Sequence, residues 1–207
     1  MAKDAELISF KEKLKGYCEE NLLEFTRREV IHGTPFIFRE NERSFYDFQN
    51  RIAKKWNVIF HEIYITGSAK LGFSFFKDTM FDENSDIDVA IVSNSLFNRV
   101  LKEIENFQWD IREKHISLSI KDYDTYHKFL QYLAIGWIRP DLLPIQIKNG
   151  NSYLRNEWFD FFEGISYEKS EVGNYKVTAG IFKSYLHFER YIVNSVSICY
   201  RKTKSLY

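Results

Sequence analysis

Apolar residues return at three- and four-residue steps over residues 4–25, at Leu7, Phe10, Leu14, Tyr17, Cys18, Leu22 and Phe25. That period predicts one amphipathic helix, with Asp4 capping its start. His32-Gly33-Thr34-Pro35 breaks the pattern, and Phe36-Ile37-Phe38 reads as a short extended piece. A second helix is predicted from Ser44 to Trp56, with Phe45, Phe48, Ile52 and Trp56 along one side. The β-rich run Val58 to Thr66 predicts a strand, and Asp86 to Val92 a second one. Ser93-Asn94-Ser95 supplies N-caps for a helix through about Ile111. His115 to Lys121 alternates and predicts a strand, after which Asp122 caps a helix that Gly136 and Pro140 end. Arg139 to Lys148 is a turn with an apolar extension, Asn149-Gly150-Asn151 a tight turn, and Ser152 to Glu163 a short helix. Residues 164–174 read as an exposed loop. Tyr175 to Ala179 is a strand or the entry to a last helix, which carries Ile181, Tyr185, Phe188, Ile192, Val196 and Cys199 in phase.

These elements describe an α+β chain, with a small sheet around residues 58–120 and helices before and after it. The expected division is a core over residues 1–121 and a mainly helical C-terminal lobe over 122–207, with no linker composition between them. At 207 residues the chain can bury one substantial core or two small ones. Its apolar content of 44% and charged content of 28% are those of a globular protein. A formal net charge of +0 supplies no global field toward nucleic acid or an anionic membrane, and leaves only local patches such as Arg201, Lys202 and Lys204. The 19 Phe and 13 Tyr are assigned chiefly to core packing, with base stacking as the alternative. Cys18 and Cys199 fall on apolar helix faces without metal-ligand spacing, as buried free thiols of a reducing compartment do. No apolar run reaches the roughly 18 residues of a membrane span, and the first residues lack a signal-peptide pattern. The expectation is a cytoplasmic protein with no membrane partner.

Two stretches carry chemistry: Ile65-Thr66-Gly67-Ser68-Ala69-Lys70 and Ser85-Asp86-Ile87-Asp88-Val89. In a strand, residues two apart share a face, so Asp86 and Asp88 project together while Ile87, Val89 and Ile91 project the other way. Two adjacent carboxylates repel and call for a cation, and Mg²⁺ takes carboxylate together with phosphate oxygens. Gly67 permits close backbone approach to a phosphate, and the Ser68 hydroxyl and nearby N–H groups are donors to it. Lys70 is placed to reach a phosphate from the following helix, or to be a solvated surface lysine.

Gly67-Ser68 followed by Ser85-Asp86-Ile87-Asp88 resembles the signature of the DNA polymerase β-like nucleotidyltransferase superfamily, over roughly residues 56–92. The resemblance implies a mixed sheet with helices packed on one face, a C-terminal helical lobe across a cleft, and Mg²⁺ or Mn²⁺ on Asp86 and Asp88. It implies transfer of a nucleoside monophosphate from a nucleoside triphosphate to a hydroxyl of a nucleotide, an RNA or a protein. A compact bacterial defence or signalling enzyme, alone or with a protein partner or second copy, is the setting it suggests. Seventeen residues separate Ser68 from Asp86, more than the family usually shows, so an enlarged loop over residues 75–84 is expected near the site. The family also has a third acid on a later strand. Asp141, in Asp141-Leu142-Leu143-Pro144, matches an acid-apolar-apolar-Pro pattern of some relatives, but flanking Pro140 and Pro144 suit a helix-terminating turn equally well. The predicted strand at 116–120 offers only Ser117 and Ser119. A second class of function follows from that gap: a nucleotide-binding sensor or partner-binding module that keeps the fold without turnover. An RNA-binding domain using exposed aromatics is a third, against which the net charge counts.

Overall fold

The computed structural model describes residues 2–204, with side chains from Ala5 onward, so the predicted cap Asp4 lies outside the described side chains. The chain runs through α1 (Ala2–Lys15), α2 (Leu22–Phe25) with a π-helical turn (Thr26–Ile31), α3 (Glu42–Trp56), β1 (Ile63–Thr66) and α4 (Gly67–Leu71). A hairpin of β2 (Phe73–Ser74) and β3 (Thr79–Met80) leads to β4 (Ile87–Val92), α5 (Asn94–Arg112), α6 (Ile120–Ala134) and β5 (Trp137–Ile138). A second hairpin of β6 (Lys148–Asn149) and β7 (Ser152–Tyr153) precedes α7 (Leu154–Glu163), β8 (Val177–Phe182) and α8 (Tyr185–Lys204).

Four strands form one mixed sheet in the order β1-β4-β8-β5. β4 is antiparallel to β1 and parallel to β8, and β5 closes the far edge antiparallel to β8. Alternation along the strands gives the sheet two apolar faces. Ile63, Ile65, Ile87, Val89, Ile91, Val177 and Ile181 join Phe48, Ile52 and Trp56 of α3, Val100 and Ile104 of α5, and Trp158 and Phe162 of α7. Ala90, Val92 and Phe182 on the other face meet Phe10 and Leu14 of α1, Phe25 of α2, and Phe188, Ile192 and Val196 of α8. Helices therefore cover both faces, whereas the resemblance implied one. Strands from either side of residue 121 are hydrogen-bonded into this single sheet.

The helices with clean periodicity form where the pattern predicts. Asn41 Oδ1 caps α3 by accepting from Ser44 N–H at 3.1 Å, and Asn57 ends it in the left-handed region at φ 50°. Ser93 Oγ caps α5 by accepting from Leu96 N–H at 3.4 Å.

Other expectations are corrected. The predicted first helix is two, because the chain leaves the helix at Gly16–Cys18; Cys18 is exposed and Cys199 buried. Phe36–Phe38 is a 3₁₀ turn rather than extended, and so is Phe60–Glu62, which shortens the first strand to four residues. His115–Lys121 is not a strand: Ser119 Oγ accepts from Asp122 N–H at 3.2 Å and donates to Asp122 Oδ2 at 2.6 Å, so Ser119 rather than Asp122 caps α6. The segment 164–174 is not wholly exposed, since Ile165, Ser166 and Val172 are buried, with Ser166 Oγ accepting from Val177 N–H at 2.8 Å. Val177–Phe182 is a strand through Ile181, and the last helix begins at Tyr185. Among the described residues no helix is long and apolar enough to cross a membrane.

Candidate active site

The Gly67 turn and the acid pair meet because β1 and β4 are antiparallel with Thr66 opposite Asp88. Thr66 ends β1, and Gly67 opens α4 at φ +64°, so the chain turns sharply at the level of Asp88. A Cβ at Gly67 would stand 3.0 Å from Asp88 Oδ2, on a backbone that L side chains rarely adopt. The glycine thus makes room first for a carboxylate of its own chain. On the other flank Thr178, the β8 partner of Asp88, donates Oγ1–H to Asp88 Oδ1 at 2.8 Å. The predicted strand Asp86–Val92 begins one residue later, at Ile87, so Asp86 stands outside it at the end of a tight turn in which Ser85 Oγ donates to Asp82 Oδ1 at 3.0 Å and Asp82 and Asn84 N–H groups donate back into the turn. Lys176 Nζ lies 3.9 Å from Asp86 Oδ2.

Desolvation raises the Asp88 carboxyl above the ordinary carboxylate range; the Thr178 bond opposes this, the charge of Asp86 adds to it, and Lys77 and Lys176 act against it. Asp88 nevertheless remains accessible to solvent. A concave wall, not closure, removes part of its hydration. The result is a carboxylate that a cation can reach and whose charge the fold leaves only partly compensated.

Asp88 stands in the wall of a cleft of about 630 Å³ lined by the second face of the sheet, α8, the β2–β3 hairpin and Trp158, Phe159 and Phe162 of α7; Asp86 is exposed two residues before it and does not line the cleft. Strand register sets out the cleft floor in rows: Asp88 and Thr178 first, Ala90 and Gly180 next, then Phe182 with Trp137. Phe188, Tyr191 and Ile192 of α8 face these rows. The enlarged segment after Gly72 is near the site as expected, and contributes Phe75, Phe76 and Lys77 to the cleft wall.

The other sequence candidates are placed as follows. Asp141 lines the same cleft as Asp88, but Arg139 grips it, donating from Nε at 3.1 Å and Nη2 at 2.6 Å to its two oxygens. The Arg139 guanidinium also lies over the rings of Tyr132 at 4.7 Å and Trp137 at 5.4 Å. Ser68 is half-buried in the first turn of α4 and does not line the cleft. Lys70 is turned away from it: the side chain is buried, its ammonium donates to the Gly33 carbonyl, and burial lowers its pKa to about 8 with help from Arg39. It fastens the His32–Pro35 segment to α4.

Thr178, Arg139, Trp137 and Lys77 escaped the sequence reading. Thr178 had the one available signal, its place in a Lys176-Val177-Thr178 alternation, but strand order was needed to set it beside Asp88. No three His, Cys, Asp or Glu among the described residues are grouped to hold a metal ion. A Mg²⁺ ion needs less, one or two carboxylates with water and phosphate oxygens completing its shell. Asp86 and Asp88 fit that requirement by chemistry, by exposure and by the only partly compensated charge at Asp88. No protein-family model, curated protein or solved structure matches the chain.

Proposed function

We propose that this chain is a metal-dependent nucleotidyltransferase of the polymerase β-like kind. The observation that carries the reading is Asp88, lining the cleft against the Gly67 turn, with exposed Asp86 two residues before it. Asp86 and Asp88 would hold Mg²⁺ or Mn²⁺, which neutralises phosphate charge and makes an acceptor hydroxyl more acidic. Thr178 and the bare Cα of Gly67 keep the Asp88 carboxylate in one orientation. Lys77 and Lys176 flank the acids and attract the polyphosphate. The acceptor oxygen, from a nucleotide, RNA or protein, attacks the α-phosphorus as its bond to the pyrophosphate oxygen breaks. The hydroxyl proton leaves to water and pyrophosphate departs.

A second reading has its own support. The β8 position beside Asp88 holds Thr178 rather than an acid, and both oxygens of Asp141 are engaged by Arg139. These favour a nucleotide-binding sensor or partner-binding module of the same architecture. One experiment separates the two. The purified chain is incubated with each labelled nucleoside triphosphate, Mg²⁺ or Mn²⁺, and cellular RNA, protein or a nucleotide mixture as acceptor. Label transfer with pyrophosphate release is expected, and Asp86→Asn with Asp88→Asn should abolish it while the circular dichroism spectrum is unchanged. Transfer that survives in the double variant rules out the metal-site reading; binding without transfer selects the sensor.

A further inference from the structure

Arg27 and Arg51 each grip a carboxylate with two nitrogens, and each grip ties distant parts of the fold together. Arg27 holds Glu189 of α8, and Arg51 of α3 holds Glu171 in the segment before β8. The two carboxylate side chains are withdrawn from solvent, at 6% and 16% exposure. The Arg139–Asp141 grip has the same two-pronged form but ties nothing together, since its partners are two residues apart across Pro140. Asp141 is 51% exposed, and both residues line the cleft. An ion pair that closes only its own turn adds little to stability, because water serves an exposed carboxylate nearly as well. Its place in the cleft therefore calls for another explanation.

The guanidinium is held ready for an anion. It lies over the rings of Tyr132 and Trp137, which restrain its plane and leave its charge intact. Trp137 in turn rests against the backbone of β8, where a Cβ at Gly180 would come within 2.6 Å of the indole. Gly180 is two residues past Thr178, the β8 partner of Asp88, a step of about 7 Å. Lys176, beside Asp86, is two residues before Thr178. Cationic groups thus stand on either side of Asp88 along β8, and only Lys176 is close to the acids. The planar fork of an arginine fits a phosphate as it fits a carboxylate, and a phosphate brings more charge.

We propose that Arg139 is a phosphate-binding residue of the cleft, with Asp141 as the resident counter-ion that a phosphate displaces. Lying past Thr178 from Lys176, it takes a phosphate of the acceptor rather than of the triphosphate; that assignment rests on the transferase reading above. The test is titration of the ¹⁵N-labelled full chain with inorganic phosphate, without metal and with chloride at matched ionic strength as control. Backbone N–H resonances of Trp137, Arg139 and Asp141 are expected to move saturably with phosphate alone. Asp141→Asn, which removes the competing charge, should bind phosphate about five- to tenfold more tightly, the scale of one charge-assisted hydrogen bond. Arg139→Gln should bind it no better than chloride. Asp86→Asn with Asp88→Asn should bind it at least as tightly as wild type. A nucleoside 5′-monophosphate and a 5′-phosphorylated RNA trinucleotide carry the same group, and the tighter of the two identifies its source. Resonances that stay put in both wild type and Asp141→Asn, or Arg139→Gln binding phosphate as wild type does, overturn the proposal. Phosphate bound at Arg139 in a chain that transfers no label would remove the transferase reading and leave the anion site standing; transfer without phosphate binding would do the reverse.

Discussion

Asp88 holds a charge at a cost that is measurable in the protein as it stands. The carboxyl has a pKa raised in the folded chain relative to the roughly 3.9 of an unfolded aspartate. Above the raised value the folded state bears the full penalty; below the unfolded value both states are protonated and the penalty vanishes. Asp88→Asn is therefore expected to raise the melting temperature at pH 7, by a modest amount because the group is exposed. That advantage should shrink as pH falls toward 4. Thermal denaturation of both proteins across pH 4–8 checks it, and a variant less stable than wild type at pH 7 contradicts the account. Lys70 illustrates the opposite lesson at the same scale. It stands two residues from a turn read as a phosphate cradle, yet its charge is spent on the Gly33 carbonyl. Sequence proximity to a motif did not distinguish a side chain that faces the cleft from one that faces the opposite way around a single helical turn.

At the level of elements, the join between α6, β5 and α8 depends on one glycine. Gly136 follows α6 at φ +77°, and a Cβ there would lie 2.1 Å from His187 Cδ2, in a ring whose Nδ1 is 2.7 Å from Ser184 Oγ. Gly136→Ala should destabilise by about 2 kcal/mol or more, from left-handed strain and overpacking together. His187→Ala in the same chain should recover the steric part only, a non-additivity that denaturant titration of the four proteins resolves. Helices such as α3 and α5 were legible because a one-sided apolar stripe and a capping residue pointed to the same answer. The alternation His115–Lys121 misled because Ile116 and Leu118 pack inward from an irregular segment while Ile120 is 85% exposed on the first turn of α6. β8 was half-hidden for a different reason: Ile181 continues the period of α8, so a buried strand and the helix after it read as one repeat. The acid pair and the Gly67 turn were legible as local spacing. Thr178 and the Arg139–Asp141 pair were not, because what places them at the site is strand order, which no local pattern carries.

Across the whole molecule, the sheet draws β1 and β4 from the first part of the chain and β5 and β8 from the second, and one apolar cluster runs from Phe38 to Ile181. Scanning calorimetry should accordingly show one cooperative transition, with calorimetric and van't Hoff enthalpies equal; two separable transitions would establish independent halves on either side of residue 121. The same interleaving governs the order of events on the ribosome. Asp86 and β4 are synthesised well before the strand that flanks β4 on its inner side, residues 177–182. Until that stretch clears the exit tunnel, β4 presents an unpaired edge, the kind of surface that nascent-chain chaperones cover. A message cut short before that point would yield a polypeptide carrying both acids and no cleft to hold them beside.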